Sequence, residues 1–575
     1  MRRLHLFSAL GLLACATPAP EPPAHHVDPG LCLGCHPREA ERFRGSHHER
    51  AMAVASPATV QGDFTGAAFE GARFGRDGEA YVIDVGGERL RVRYAFGVAP
   101  LQQYLVERPG GRLQAFALAW DLAKRAWFRV QPDDLSWTSR YQTWNTMCAD
   151  CHSTGVDKGY QPEADRFDTS YQEVSVGCQA CHGPGSRHAA NPLRRLPTAG
   201  DADACAPCHA RRTPLTARAL PGEPLLDHYR PATLSPGLYY PDGQLLDEVF
   251  EYGSFAQSVM HERGVRCIDC HDPHSARSEP ANATCTRCHR ASPPPQFPGL
   301  ARRPANVDSP AHHHHRPGSP GAQCVACHMP ERTYMKLDAR RDHSLRVPRP
   351  DLSVALGTPN ACTACHADHD AAWAAAAVAR WFPRPRPAHF GEVFARAERG
   401  EPVADDLQRL AADRELPAIV RAAALERLFG EPRACLAAAA TAVTDSSPMV
   451  RSVAVACAEH AAPTARAALV GPALADPVRL VRLEAARVLA GPATAALPAA
   501  LGEAFARARA ELEASYRLQL DRPEGWFNLA LLAEAESRRD DAGACYRKAL
   551  ALDPAYEPAR VNLGQLASPR PAYNM

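Results

Sequence analysis

The sequence has almost no charge excess of either sign: 65 Lys and Arg stand against 64 Asp and Glu, a formal net of +1. That balance supplies none of the basic field a nucleic-acid partner requires, so no such partner is expected. A long hydrophobic run is missing too. The apolar stretch of MRRLHLFSALGLLAC, at the N-terminus, is far too short to span a bilayer as a permanent helix. Between residues 32 and 366 long periodic segments are few while Pro and Gly are frequent, which leaves short helices joined by loops. Cysteine is scarce outside a single pattern, with only Cys15, Cys435, Cys457 and Cys545 left over from a total of 20.

That pattern is C-x-x-C-H, and it occurs eight times. It reads CLGCH (Cys32, Cys35, His36), CADCH (Cys148, Cys151, His152), CQACH (Cys178, Cys181, His182) and CAPCH (Cys205, Cys208, His209) in the first half of the series. CIDCH (Cys267, Cys270, His271), CTRCH (Cys285, Cys288, His289), CVACH (Cys324, Cys327, His328) and CTACH (Cys362, Cys365, His366) complete it. Zinc sites pair C-x-x-C units with one another and do not need His directly after the second Cys. A redox dithiol occurs once, near a βαβ pattern, and a disulfide framework has no use for a fixed His. Covalent haem c attachment needs all three residues: two thioether anchors and a proximal iron ligand. Eight haems are therefore expected.

The N-terminus agrees with that reading. Arg2 and Arg3, a short apolar run and the ending Leu12-Leu13-Ala14-Cys15 read as an export signal over residues 1–14, of lipoprotein type, with Cys15 acylated. An ordinary cleaved signal with an incidental Cys is the alternative. Residues 15–30 are Pro-rich and suit an extended tether. Periplasmic or cell-envelope location, with a lipid anchor on Cys15 reaching the membrane, is the expectation.

Residues 31–370 form the expected octahaem domain, with about 42 residues per motif from Cys32 to His366. So little protein per macrocycle means that the porphyrins must supply much of the core. One interval, between His36 and Cys148, has no motif. There AYVIDVGGERLRVRYAFG alternates around Gly86-Gly87 and reads as a β-hairpin within a β-rich insert over about 62–131. After residue 370 the chain becomes Ala-rich and helical. Val-Arg pairs at 420–421, 450–451 and 481–482 give a period of 30 and 31 residues over 371–500, resembling short HEAT repeats; an irregular helical bundle is the alternative. In 501–575, Trp526, Leu529, Ala530, Ala542, Tyr546, Ala549 and Pro554 match the tetratricopeptide pattern, with Ala530 where Gly is usual. Cys435, Cys457 and Cys545 are expected to be ordinary small buried residues. The fold class is mainly α: a multihaem domain of short helices and loops with a β-rich insert, then an α-helical solenoid. Truncation after residue 370 is expected to spare the haem domain and to lose a partner docked on the repeats.

Fifteen histidines outside the motifs lie between residues 25 and 389, more than eight sixth ligands require. His188 and His274, close behind their own motifs, suit a neighbouring haem better than their own. His47, His261, His314 and His343 complete the candidate distal set, with solvated or second-shell roles as the alternative. Met52, Met147, Met260 and Met329 are weaker axial candidates.

CHGPGSRH, GVRCIDCHDPHS and CVACHMPERTYMKLDARRDHSLRVP resemble phrases of exported multihaem cytochromes in the superfamily of hydroxylamine oxidoreductase and pentahaem nitrite reductase. With GTPNACTACH and the helical repeats, the layout resembles bacterial multihaem cytochromes fused to tetratricopeptide repeats. The resemblance implies a haem-packing style. No C-x-x-C-K motif is present, so the resemblance does not carry over that family's catalytic haem, and no catalytic residue is named. Electron transfer through eight haems, with redox partner proteins, is the leading expectation. The alternative is an oxidoreductase acting on a small nitrogen or sulfur compound at one five-coordinate haem.

Overall fold

The computed structural model describes residues 23–130, 136–197, 202–279, 282–297 and 307–567. The expected signal segment, Cys15 and the tether as far as residue 22 lie outside the described residues. Among the described residues no helix is long and apolar enough to cross a membrane.

The insert is an antiparallel sheet of nine strands: β1 (Met52–Val54), β2 (Ala68–Phe69), β3 (Ala72–Asp77), β4 (Ala80–Val85), β5 (Glu88–Phe96), β6 (Leu101–Arg108), β7 (Arg112–Ala115), β8 (Leu118–Asp121) and β9 (Ala126–Arg129). Strand order is β2-β3-β4-β5-β6-β8-β9, with β1 paired to β5 and β7 to β6. Gly86 and Gly87, at φ 57° and 81°, make the two-residue turn that sets Val85 opposite Glu88. One face carries an aromatic core, where Phe64 meets Phe74, Tyr81, Tyr104 and Trp127 edge-on at 5.1–5.6 Å. On the other face Met52, Tyr94, Phe96, Leu105 and Ala115 pack against Trp144, just before the second motif, and Ala149, within it. The sheet begins ten residues earlier than the sequence suggests, because Met52 pairs with Phe96.

Among the described residues from 136 to 370 the secondary structure is short. Motif residues sit in or beside helices of a turn or two, such as Pro29–Cys35, Cys178–His182, Ala202–His209 and Cys324–His328. Asp28 accepts from the Gly30 amide at 2.6 Å to start the first of these.

The C-terminal half is made of stacked helices. Ala418–Glu426, Pro448–Cys457 and Arg479–Leu489 carry the three Val-Arg pairs and pack on one another, separated in sequence by Pro432–Ala442 and Pro463–Val470. The repeated Arg acts alike in successive layers. Arg421 bonds Asp445 at 2.5 Å, and Arg451 clamps Asp476 at 2.8 and 2.9 Å. Each pair joins one helix layer to the turn before the next, the kind of nearest-neighbour coupling that holds stacked helices together. Cys435 and Cys457 depart from the expected role of small buried residues. They form a disulfide between adjacent helices, with Cα atoms 5.2 Å apart, because both face the same interhelical seam. Cys545 is half-buried.

The helices are not a separate arm. Leu234, Tyr239, Leu245, Val249 and Ala256, from the haem-motif region, share one apolar core with Phe394, Ile419, Val420 and Leu425. Arg230 reaches Glu484 at 2.7 Å, and Lys158 reaches Asp521 at 2.7 Å. Tyr141 donates to Glu524 at 2.6 Å. Truncation after residue 370 would therefore strip a core rather than release a module.

Glu484 tests this junction. It is 2 % exposed and bonds both Arg230 and Arg487 at 2.7 Å. Burial alone would raise its carboxyl, but the Arg487 and Arg230 charges bring it down to about 2 from 4.5. A depressed carboxylate stabilises the fold above its unfolded value, and that support is lost as pH falls through the folded one. Glu484→Ala is expected to cost about 1–3 kcal/mol, through loss of a buried carboxylate's charge-assisted hydrogen bonds to the partly exposed Arg230 and Arg487, read as a lowered Tm of the full chain. The wild type should lose the same support between pH 4.5 and about 2.

Candidate haem-binding cavity

Between Gln257 and Trp373 the buried apolar side chains among the described residues are Ala322, Pro350 and Leu352. A segment that keeps so little apolar surface dry cannot hold itself compact by its own side chains. What it has instead is a cavity of about 3480 Å³, several times the ~300–1,000 Å³ of an ordinary small-molecule pocket. Its walls include Leu31, Val176, Phe255, Ile268, Leu352, Trp373 and Phe382. At least one cysteine from each of the eight motifs lines it. None of the sixteen motif cysteines is in a disulfide. An apolar void rimmed by paired thiols fits flat apolar macrocycles with thioether attachment.

Burial pushes Cys148 up to about 12 and Cys270 up to about 11. Cys151 runs the other way, down to about 7, chiefly through the Cys208 thiol that bonds to it.

The motifs touch in a definite order. The helix Pro29–Cys35 packs on Cys178–His182, joining the first motif to the third. Cys151 lies 3.8 Å from the Cys208 carbonyl, and Cys208 lies 3.7 Å from the Asp150 carbonyl, joining the second to the fourth. Arg287 bonds the Asp269 carbonyl, and Asn282 accepts from the Cys324 amide at 2.8 Å, so the fifth, sixth and seventh follow one another.

Histidines meet across the cavity. His36 faces His188 with ring centroids 6.0 Å apart, His48 faces His209 at 6.4 Å, and His182 faces His274 at 6.4 Å. His271 faces His343 at 6.3 Å, His312 faces His328 at 6.1 Å, and His315 faces His366 at 6.0 Å. Two imidazoles on opposite sides of one metal atom, with bonds of about 2.0 Å and about 1.1 Å from nitrogen to ring centre, stand about 6.2 Å apart. The six separations suit that arrangement.

The rings are also tethered for it. Nδ1 of His152, His182 and His328 bonds the carbonyls of Ala51, Pro197 and Arg346 at 3.1, 3.2 and 2.8 Å. On the facing side, Nδ1 of His188, His343 and His315 bonds the carbonyls of Arg194, Arg341 and His313 at 2.7, 3.0 and 2.5 Å. Since a carbonyl can only accept, each Nδ1 carries the proton and each Nε2 keeps its lone pair for a metal. His228 is different: Nδ1 meets Thr216 at 2.7 Å and Nε2 meets Glu223 at 2.8 Å, so both nitrogens are taken.

Of the sequence-derived distal set, His188, His274 and His343 are brought opposite motif histidines. His47 is exposed, and its neighbour His48 turns inward instead. His314 stacks on Trp381 at 4.3 Å with a left-handed backbone, φ 56°, so that His312 and His315 on either side face the motifs. His261 packs against Phe255 at 5.4 Å. His289 lines the cavity wall. The ring that meets His152 is Phe96, edge-on at 5.6 Å.

Residues 122–183, which hold the second and third motifs, match the family described as cytochrome c554 and c-prime. This match and the motifs gathered on one apolar cavity together support a multihaem c-type cytochrome with covalently bound haem c. A solved structure of the outer cell wall cytochrome OcwA overlays with a TM-score of 0.42 at 17% identity, covering 76% of this chain and 99% of that one. No curated protein matches.

Because the cavity leaves residues 257–373 with almost no apolar core of their own, the polypeptide produced without haem attachment should bind an apolar-surface dye strongly and be cut by protease between residues 257 and 373. The haem-loaded chain should do neither; equal dye binding by the two forms would count against the cavity as a haem site.

Proposed function

We propose that this protein carries electrons through eight covalently attached haems in the cell envelope. The observation that carries the reading is the set of six opposed histidine pairs around one cavity lined by all eight motifs. Each C-x-x-C pair supplies two thioether anchors, and His36, His152, His182, His209, His271, His289, His328 and His366 supply proximal ligands. His188, His274, His48, His343, His312 and His315 close the opposite faces of the first, third, fourth, fifth, seventh and eighth sites. Bound haem supplies one-electron chemistry and, where a sixth position is open, a place for a small ligand.

The motif contacts join the first to the third, the second to the fourth, and the fifth through the sixth to the seventh, while His274, behind the fifth motif, faces His182 of the third. Export through the N-terminal segment and lipid anchoring at Cys15 are part of the proposal. The Cys435–Cys457 disulfide suits an oxidising compartment. Redox partner proteins exchange electrons with the cavity rim. We read the C-terminal helix pairs as HEAT-like and tetratricopeptide repeats whose outer faces dock such partners, while their inner faces complete the haem domain.

A second reading, an oxidoreductase acting on a small nitrogen or sulfur compound, is favoured by one observation. His152 meets Phe96 rather than a second histidine, so its site is the candidate for an open iron.

Intact mass of the exported protein should exceed the polypeptide by eight haems. Electron paramagnetic resonance should show low-spin ferric signals, and His188→Ala should convert one to high spin while His228→Ala and His314→Ala leave the spectrum unchanged. A high-spin wild-type signal that shifts with nitrite or hydroxylamine supports the second reading; an entirely low-spin spectrum without turnover removes it.

A further inference from the structure

The tethered ring nitrogens are not all alike. His152, His182 and His328 give their Nδ1 proton to neutral backbone carbonyls. His209 instead bonds a carboxylate, with Glu251 Oε2 at 2.8 Å from Nδ1. The contact is built by the fold. Glu251 is the N-cap of the short helix Tyr252–Phe255, and its carbonyl accepts from the Phe255 amide at 2.9 Å. The preceding residue, Phe250, takes φ 62°, a region that bulky L-residues avoid, and this bend aims the carboxylate at the ring.

A carbonyl acceptor fixes the imidazole tautomer. A carboxylate does more, because it draws the Nδ1 proton toward itself and gives the ring imidazolate character. The ring then donates more strongly through Nε2, which favours ferric over ferrous iron. The place matters as well. Cys208, in the same motif, touches the Asp150 carbonyl of the second motif, and His48, opposite His209, comes from the segment after the first. His209 therefore stands at a junction between the second motif and the segment that follows the first.

We propose that Glu251 is a positioning residue that lowers the reduction potential of the haem held between His209 and His48. The proposal rests on the paired-histidine reading given above. It makes the junction a step that electrons leave readily, so charge is held on the neighbouring sites and not there.

The test is a redox titration of the full-length, haem-loaded protein, followed by visible and paramagnetic resonance spectra, for wild type and Glu251→Gln. Gln keeps the size and a hydrogen-bond acceptor and removes the charge. With eight haems still present and low-spin, one haem should become at least tenfold easier to reduce, about 59 mV for one electron. Titration curves that superimpose overturn the proposal and leave the paired-histidine reading standing. If Glu251→Gln fails to load all its haems, the wild-type spectrum decides. One low-spin signal with the g spread of an imidazolate-like ligand supports the proposal, and signals all of neutral-imidazole type overturn it. A high-spin iron at His209 in the wild type overturns the pairing itself, and the proposal with it.

Discussion

The structure depends on one recurring arrangement: a motif histidine looking across a gap of about 6 Å at a second histidine drawn from elsewhere in the chain. His188 follows the third motif but faces the first, and His274 follows the fifth but faces the third. His48 follows the first but faces the fourth. Each opposed pair thus joins two segments distant in sequence, and between 257 and 373, where buried apolar side chains are few, those segments cannot be held together by an apolar core of their own. The backbone carbonyls on Nδ1 set the ring planes, so loops without regular structure are placed through their histidines.

Around this weakly self-supporting centre stand two conventional cores. The sheet turns one face to an aromatic cluster and the other to the second motif, which places Phe96 on His152 and the Ala51 carbonyl on its Nδ1. The C-terminal helices enclose residues 234–256, and the connection from Gly502–Arg517 into Pro523–Ala535 reaches Lys158 and Tyr141 through Asp521 and Glu524. The insert and the helices thus act as walls for a region that has little interior of its own.

Much of this was legible in the sequence, and the limits have physical causes. The eight motifs, the hairpin at Gly86-Gly87 and the Val-Arg period are local patterns, and local geometry follows from them. Which of two adjacent histidines turns inward is not local. His47 and His48 differ only in which way a short turn after Phe43 points them, and the HHHH run sends its outer members inward because His314 adopts a left-handed backbone. The Cys435–Cys457 pairing needed two helices in register, since 22 residues separate the partners. Leu234, Tyr239 and Val249 read as part of the motif region, and nothing along the chain announces that their packing partners lie more than 150 residues on. Glu251 has no motif around it.

The shared core also has a consequence for biogenesis. Synthesis delivers the helices beyond residue 390 last, yet they cover Leu234, Tyr239, Leu245 and Val249. Until they arrive, that apolar flank stays uncovered, and a chain cut short before residue 457 never covers it fully.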